Sequence, residues 1–439
     1  MRTSFAEARL TDPAIQEANG ILRTCVHCGF CVATCPTYLL LGDELDSPRG
    51  RIYLAKEMLE QDRVPSASVV KHIDRCLTCL SCMTTCPSGV HFAHLIDRAR
   101  IHIEKTYKRP AADRLLRRFI ATVVSRPALF RLTALAGRLG RPLARLMPPR
   151  LRHMIQSAPR HIGSPSWVDR PQVIAAEGPR RMRVALLSGC AQQALRPHIN
   201  EATVRLLARH GCEVVVAGGM GCCGGIFHQM GWEERTRRAA KANIAAWERV
   251  IADGGLDAIV FNASGCGVML KDYGHLLRDE PDWAGRAERI AALSCNISEV
   301  VLDLGLRPPV VRTGQRVTYH MACTMQHGLG LRTVAKTLLT QAGFAVAEPA
   351  EGHICCGSAG VYSLLQPEIS ERLVRRKVAN IAASDPQIIA AGNIGCIVHI
   401  APHAPAPVVH VVELLDWATG GEPPSGARAA MVSEAWAKS

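Results

Sequence analysis

The chain has 439 residues, 48% of them hydrophobic, and a formal net charge of +14. That length is enough for two or three domains with cores of their own, and no stretch approaches the roughly 18 consecutive apolar residues that read as a membrane helix. The first ten residues, Met1 to Leu10, carry charges and lack an apolar segment, so the 18 cysteines are not expected to be a secreted disulfide framework. The expected compartment is the reducing cytoplasm.

Two copies of one cysteine run come first. Cys25, Cys28, Cys31 and Cys35 precede Pro36, while Cys76, Cys79, Cys82 and Cys86 precede Pro87, with 51 residues between equivalent positions. Both spell C-x2-C-x2-C-x3-C-P, the signature of two-cluster bacterial ferredoxins, in which the fourth cysteine of each run ligates the other cluster. The spacing therefore assigns Cys25, Cys28, Cys31 and Cys86 to one [4Fe-4S] cluster and Cys76, Cys79, Cys82 and Cys35 to a second. Structural zinc also uses C-x2-C pairs, but it leaves the third cysteine and the proline of each run without a role. Inside the runs, His27 and Phe30 occupy the places of Thr78 and Ser81, where shielding and polarity tune cluster potentials. A surface-loop role is the competing reading for these four.

Between Lys105 and Arg160 stand fourteen Lys or Arg and one acid, Asp113. Leucines alternate with arginines there, which predicts short amphipathic basic helices broken by Pro127, Pro142, Pro148 and Pro149. A solvated linker, a docking site for a partner subunit and a peripheral contact with an anionic membrane surface remain open for this segment. Nucleic acid is disfavoured, because no recognised nucleic-acid motif accompanies the charge. Residues 157–181, rich in Pro, Ser and Arg, read as an extended linker.

A second repeat fills the rest of the chain. Apolar runs end at Cys190 and Cys323, each followed 32 residues later by Cys-Cys-Gly, at Cys222-Cys223-Gly224 and Cys355-Cys356-Gly357. Each half closes on a further cysteine after a strand-like run, Cys266 and Cys396, and even the tails 296–301 and 410–415 match. Strands alternate with helical stretches such as 232–251 and 368–383, which implies parallel sheets covered by helices. The fold class read from these patterns is α+β multidomain: a mostly helical two-cluster ferredoxin-like domain, then a duplicated α/β Cys-Cys-Gly domain. The expected divisions are residues 1–104 for the first, 105–181 for the basic segment and linker, and 182–310 and 311–439 for the two halves.

In parallel sheets, ligands sit beyond the carboxyl ends of strands. Cys190, Cys222, Cys223 and Cys266 are expected to converge there in one half, and Cys323, Cys355, Cys356 and Cys396 in the other. A metal cluster, thiol redox chemistry and plain buried cysteine all stay open for these eight, which are not assigned as ligands. Cys212 and Cys295 fall outside the repeat and read as core. His320, His327, His353, His399 and His410 gather in the second half, each read as a packed histidine. No FAD or NAD fingerprint is present, which points to a partner for substrate oxidation.

Together the paired runs, the stretch Tyr38 to Arg51, the two Cys-Cys-Gly halves and Ser358-Ala359-Gly360 resemble the iron-sulfur subunit of bacterial glycolate oxidase over almost the whole chain. Wider relatives include iron-sulfur subunits of lactate and anaerobic glycerol-3-phosphate dehydrogenase systems and the heterodisulfide reductases. The resemblance implies a complex in which FAD-binding partner subunits oxidise glycolate to glyoxylate. This chain would carry electrons onward, without binding substrate, to a membrane acceptor of the quinone type, in the cytoplasm or at the cytoplasmic face of the inner membrane. The alternatives it leaves are a lactate or glycerol-3-phosphate system, or catalysis by the Cys-Cys-Gly halves themselves. Heterodisulfide reductases with noncubane clusters end each half in Cys-x-x-Cys, whereas Ala263 and Asn393 stand at the first of those positions here.

Overall fold

Proline and short polar side chains set the helix starts of the N-terminal region. The structure, a computed structural model, describes residues 1–142, 147, 152, 155, 164–311 and 313–427. Helix α1 (Pro13–Thr24) has proline in its first turn and an Asp12 side chain that accepts from the Ala14 N–H, which satisfies a donor that the helix leaves free. Short α2 (Pro36–Leu41) and longer α3 (Pro48–Gln61) also open on proline. α4 (Ala67–Asp74), α5 (Ser81–Thr85) and α6 (Phe92–Thr106) follow. Ile15, Leu22, Leu59, Ile73, Leu95 and Ile103 form the centre of their shared core. The two cysteine runs are the connections between these helices.

The basic segment forms two helices, α7 (Ala111–Val124) and α8 (Pro127–Leu139), bent by 115° where Pro127 restarts the chain. Each buries a narrow stripe, Ile120, Ala121 and Val123 in α7 and Ala134 in α8, and leaves Leu115, Phe119, Leu132, Leu135 and Leu139 exposed. Pro148 and Pro149 lie outside the described residues. Among the described residues no single helix is long and apolar enough to cross a membrane, although α7 and α8 taken as one bent pair reach that length and composition.

The repeat folds as two sheets of the same plan. β1 (Gln172–Ile174), β2 (Met182–Leu187), β3 (Cys212–Val216), β4 (Ala258–Phe261) and β5 (Ser294–Asn296) make the first, in the order β1-β3-β2-β4-β5. β6 (Arg316–His320), β7 (Ala345–Ala347), β8 (Ile388–Ala391) and β9 (Val408–His410) make the second, in the order β7-β6-β8-β9. All pairings are parallel except β1 with β3. The stretch 157–181 is therefore more than a linker. Gln172–Ile174 pairs antiparallel with Val214–Val216 and closes one edge of the first sheet, which satisfies backbone groups that an open edge would leave free; residues 157–163 lie outside the described residues.

Matching tails cap matching helices. Asn296 and His410 each accept from a backbone N–H at the helix start, while Glu299 and Glu413 three residues on reach back. Between the halves runs a continuous core that includes Val184, Leu207, Val317, Leu339, Val412 and Trp417. His410 Nε2 also donates to the Asn262 carbonyl across it, at 2.8 Å. The two sheets thus hold their strand ends in fixed relation.

Candidate iron-sulfur site

The two ferredoxin runs share an unusual backbone. His27 (φ 57°) and Gly29 (φ 87°) are left-handed in the first, and Thr78 (φ 51°) and Leu80 (φ 64°) in the second. Left-handed residues between right-handed ones turn successive N–H groups toward one side, the arrangement that cradles an anionic cluster. For a leucine that conformation costs about 1–2 kcal/mol, so its repetition at Leu80 marks a constrained loop. The fourth cysteines, Cys35 (φ −82°, ψ 115°) and Cys86 (φ −77°, ψ 113°), are both extended and leave their runs in the same way.

That exit carries each fourth cysteine to the other run. Cys31 has Cys25, Cys86 and Cys28 as its interacting thiols, and Cys82 has Cys79, Cys76 and Cys35 foremost. Burial, reinforced by these neighbours, pushes the Cys31 thiol up to about 11 and those of Cys79 and Cys82 well above the usual range. Thiols held this way release their protons to a strongly bound cation, and the donor set fits iron-sulfur ligation. Backbone N–H groups already donate to sulfur, Thr78 to Cys76 at 3.4 Å and Val90 to Cys86 at 3.5 Å.

The surroundings of the two runs differ. Cys28 is exposed, and Val26 and Phe30 beside it are 65% and 64% exposed, although Phe30 and His27 both line the small cavity ringed by Cys25, Cys28, Cys31 and Cys86. Cys76, Cys79 and Ser81 are buried. The Arg100 guanidinium donates to Thr78 Oγ1 at 2.7 Å and to the Cys76 carbonyl at 2.7 Å. Under Cys35 lies an ion network centred on buried Asp46 and Arg51: Arg51 donates to Asp46 at 3.2 Å and toward the Cys35 sulfur at 3.8 Å, and the half-buried Arg75 meets the other Asp46 oxygen at 2.7 Å. Within the stretch Tyr38 to Arg51 no role for Arg51 is legible from the sequence, because the sulfur and the His72 carbonyl it meets come from other segments.

In the repeat, strand order decides where the thiols gather. Each sheet reverses direction of winding beside its first parallel strand, at β2/β4 and β6/β8, and such switch points open a crevice at the carboxyl ends. Cys190 and Cys266 follow β2 and β4, and Cys323 and Cys396 follow β6 and β8. Cys190 Sγ lies 3.6 Å from Cys222 Sγ, and Cys323 Sγ lies 3.7 Å from Cys355 Sγ. Asn393, at the place of the missing cysteine, donates to Cys396 Sγ at 3.5 Å. Both sets line one cavity of about 1700 Å³, walled also by Phe119, Ile120 and Phe130 of α7 and α8.

This cavity abuts the second ferredoxin run. Leu77 and Cys79 share an apolar cluster with Cys355 and Tyr362. Thr84, inside the run, bonds His327 at 2.7 Å, and Tyr362 donates to the Arg75 carbonyl at 3.0 Å. Cys212 is buried and Cys295 packs against the same core, as expected. His327, His399 and His410 each have hydrogen-bond partners and are packed as expected. His320 departs from that pattern.

Comparison with known proteins agrees with this layout. The 4Fe-4S dicluster domain family matches residues 21–90, and the Cysteine-rich domain family matches 184–271 and again 317–401. The chain is 38% identical over 418 residues to the glycolate oxidase iron-sulfur subunit of Escherichia coli, covering 95% of this chain and 99% of that one. It is 32% identical to a probable glycolate oxidase iron-sulfur subunit of Bacillus subtilis, over 87% and 88% of the two chains. Lactate utilization protein A of an Exiguobacterium species is 31% identical but matches only 53% of this chain. A crystal structure of a hypothetical protein from Helicobacter pylori shares the fold, with a TM-score of 0.54 over 97% of this chain and 74% of that one, at 9% identity. With paired cluster-binding runs ahead of a duplicated cysteine-rich domain, the chain belongs to the family of glycolate oxidase iron-sulfur subunits.

Proposed function

We propose that this chain is the electron-transfer subunit of a glycolate-oxidising complex, standing between FAD-binding partner subunits and a membrane acceptor of the quinone type. Cys25, Cys28, Cys31 and Cys86 hold one [4Fe-4S] cluster in this reading, and Cys76, Cys79, Cys82 and Cys35 the other. Bound there, two such clusters supply one-electron redox chemistry that divides the electron pair a flavin takes from a hydroxy acid.

The difference in exposure between the runs carries the proposal. The first run, with Cys28 at the surface, is open to a partner, and the second buries Cys76 and Cys79 and packs Cys79 in one cluster with Cys355. Such an order suits electron arrival at the first run and departure toward the cavity. Exposed Leu132, Leu135 and Leu139 among the arginines of α8 favour an acceptor at an anionic membrane surface.

A second reading makes the cavity a catalytic site in its own right, favoured by the convergence of both Cys-Cys-Gly sets on its wall. The test of the first reading is anaerobic purification with iron and sulfide analysis and EPR of the reduced protein. Two interacting cubane signals support it, and a colourless zinc protein overturns it. Cys223→Ser separates the two readings: unchanged acceptor reduction with the partner subunits favours the simple relay, and its loss with both cubane signals intact favours catalysis in the cavity.

A further inference from the structure

His320 ends β6 with its ring 1% exposed, and among the described residues neither ring nitrogen has a nitrogen or oxygen partner; its polar neighbours are the Cys356 and Cys396 sulfurs. A buried imidazole always presents at least one polar nitrogen, and burial without a partner is unfavourable. The ring is not isolated from every donor atom. One of its nitrogens, Cys356 Sγ and Cys396 Sγ all lie within 4.8 Å of one another. Two sulfurs and an imidazole nitrogen gathered that closely, with no nitrogen or oxygen partner for the ring, have the form of a metal-ligand set.

The rest of the second half extends the set. Cys323 and Cys355 sit 3.7 Å apart on the wall of the same cavity, and Asn393 fixes Cys396 by its amide. The two halves now differ in chemistry. At the position of His320 the first half carries Leu187, and at that of Asn393 it carries Ala263, so its four cysteines have only apolar companions there. The two halves thus keep one backbone plan and place different side chains beside the same thiols.

The geometry points to a third redox centre in the second half: an iron-sulfur centre in which His320 is a nitrogen ligand beside Cys356 and Cys396, with Cys323 and Cys355 completing the sulfur donors. Five donors exceed the four that structural zinc takes. The position is also that of a redox partner, since Cys79 of the second ferredoxin run has Cys323 as its foremost neighbouring thiol. A neutral imidazole added to four thiolates brings a ligand without further negative charge, so His320 would tune the potential of this centre through its basicity and hydrogen bonding. This inference rests on the relay reading for its direction of flow, and its ligand set stands on the geometry of His320.

The full-length chain, purified anaerobically, is compared with His320→Leu, which copies the first half, and His320→Cys. Iron, sulfide and zinc are counted, and pulsed EPR measures nitrogen coupling to the reduced and oxidised centres. The expected wild type holds more than the roughly eight irons of two cubanes and shows a directly coordinated nitrogen. His320→Leu loses that coupling and the extra iron while both cubane signals persist as the control for folding. His320→Cys keeps the iron and loses the coupling. Zinc in the second half, a wild type with no coordinated nitrogen, or coupling that survives in both variants overturns the assignment. If the protein holds two cubanes and nothing more, this inference falls while the relay stands; missing cubane signals in the wild type count against the relay itself.

Discussion

Arg51 points its guanidinium at the Cys35 sulfur, 3.8 Å away, while the same side chain holds Asp46 and the His72 carbonyl. Burial opposes its charge, but Cys76, Cys35 and Asp46 keep it protonated. A buried cation beside a cluster favours the reduced, more negative state. Arg51→Met is expected to lower the potential of the second centre by on the order of 100 mV, for one charge about 6 Å away at an effective dielectric near 20. It also removes one of the partners of Asp46 while Arg75 and His72 remain, with a stability loss of about 1.5–3 kcal/mol. Arg51→Lys keeps the charge and should recover most of the potential. An EPR-monitored redox titration of the three proteins checks this.

Exchange of the fourth cysteines gives a second expectation. Cys35→Ser should convert or bleach the centre held by Cys76, Cys79 and Cys82, leaving the one near Cys28 unchanged, and Cys86→Ser should do the reverse. EPR with selective reduction tells the two apart. Damage confined to the run that carries the substitution would refute the crossed sets.

His94 joins the ferredoxin region to the first half, bonding Glu17 at 3.0 Å and Asp272 at 3.0 Å and stacking on His275. Although burial pulls it down, bonds to Asp272 and Glu17 carry its pKa up to about 9 from an ordinary 6.5. Raised in the folded state, it contributes stability in full below pH 6.5 and loses it as pH climbs through about 9. Melting temperature should fall between those values, and His94→Gln should flatten that alkaline limb. An unchanged slope in the variant would assign the loss to other groups.

Gly50 leaves no room for a side chain, since a Cβ there would sit 2.0 Å from the Glu44 carbonyl oxygen. Gly50→Ala must push the start of α3 away from that turn, at a cost of about 1–3 kcal/mol. Arg51 is the next residue, so iron retention at the second centre should drop along with the melting temperature. A shift in melting temperature with full iron content would separate the helix start from the site.

The exposed leucines of α8 supply a last expectation. Replacing Leu132 and Leu139 by Asp should weaken sedimentation with vesicles containing anionic lipid several-fold, without altering iron content. High salt should weaken the wild type too, because the arginines act through screened charge. Equal binding by wild type and variant would remove the membrane from the account of this face.

Much of the architecture was readable because repeats constrain one another. Equal spacing from Cys190 to Cys222 and from Cys323 to Cys355 implied one fold used twice, and two sheets of the same order follow. Local pattern missed the strand Gln172–Ile174, whose pairing depends on an edge formed by distant residues. Local pattern also left open whether Phe30 shields its run or stands at the surface; its ring is largely exposed and yet lines the cavity beside Cys25, Cys28 and Cys31, a placement that only packing against the second run defines.

Cysteine spacing by itself determined the kind of chemistry, since ligand identity and short-range loop geometry are local properties of the chain. The alternation of strands and helices likewise determined that further thiols would meet beyond strand ends. Tertiary structure decided what those places face. Exposure of Cys28, packing of Cys79 with Cys355, burial of Arg51 under Cys35 and the meeting of His320 with Cys356 and Cys396 all depend on residues far apart in sequence. Burial and long-range proximity arise only when whole elements pack, so no local pattern encodes them.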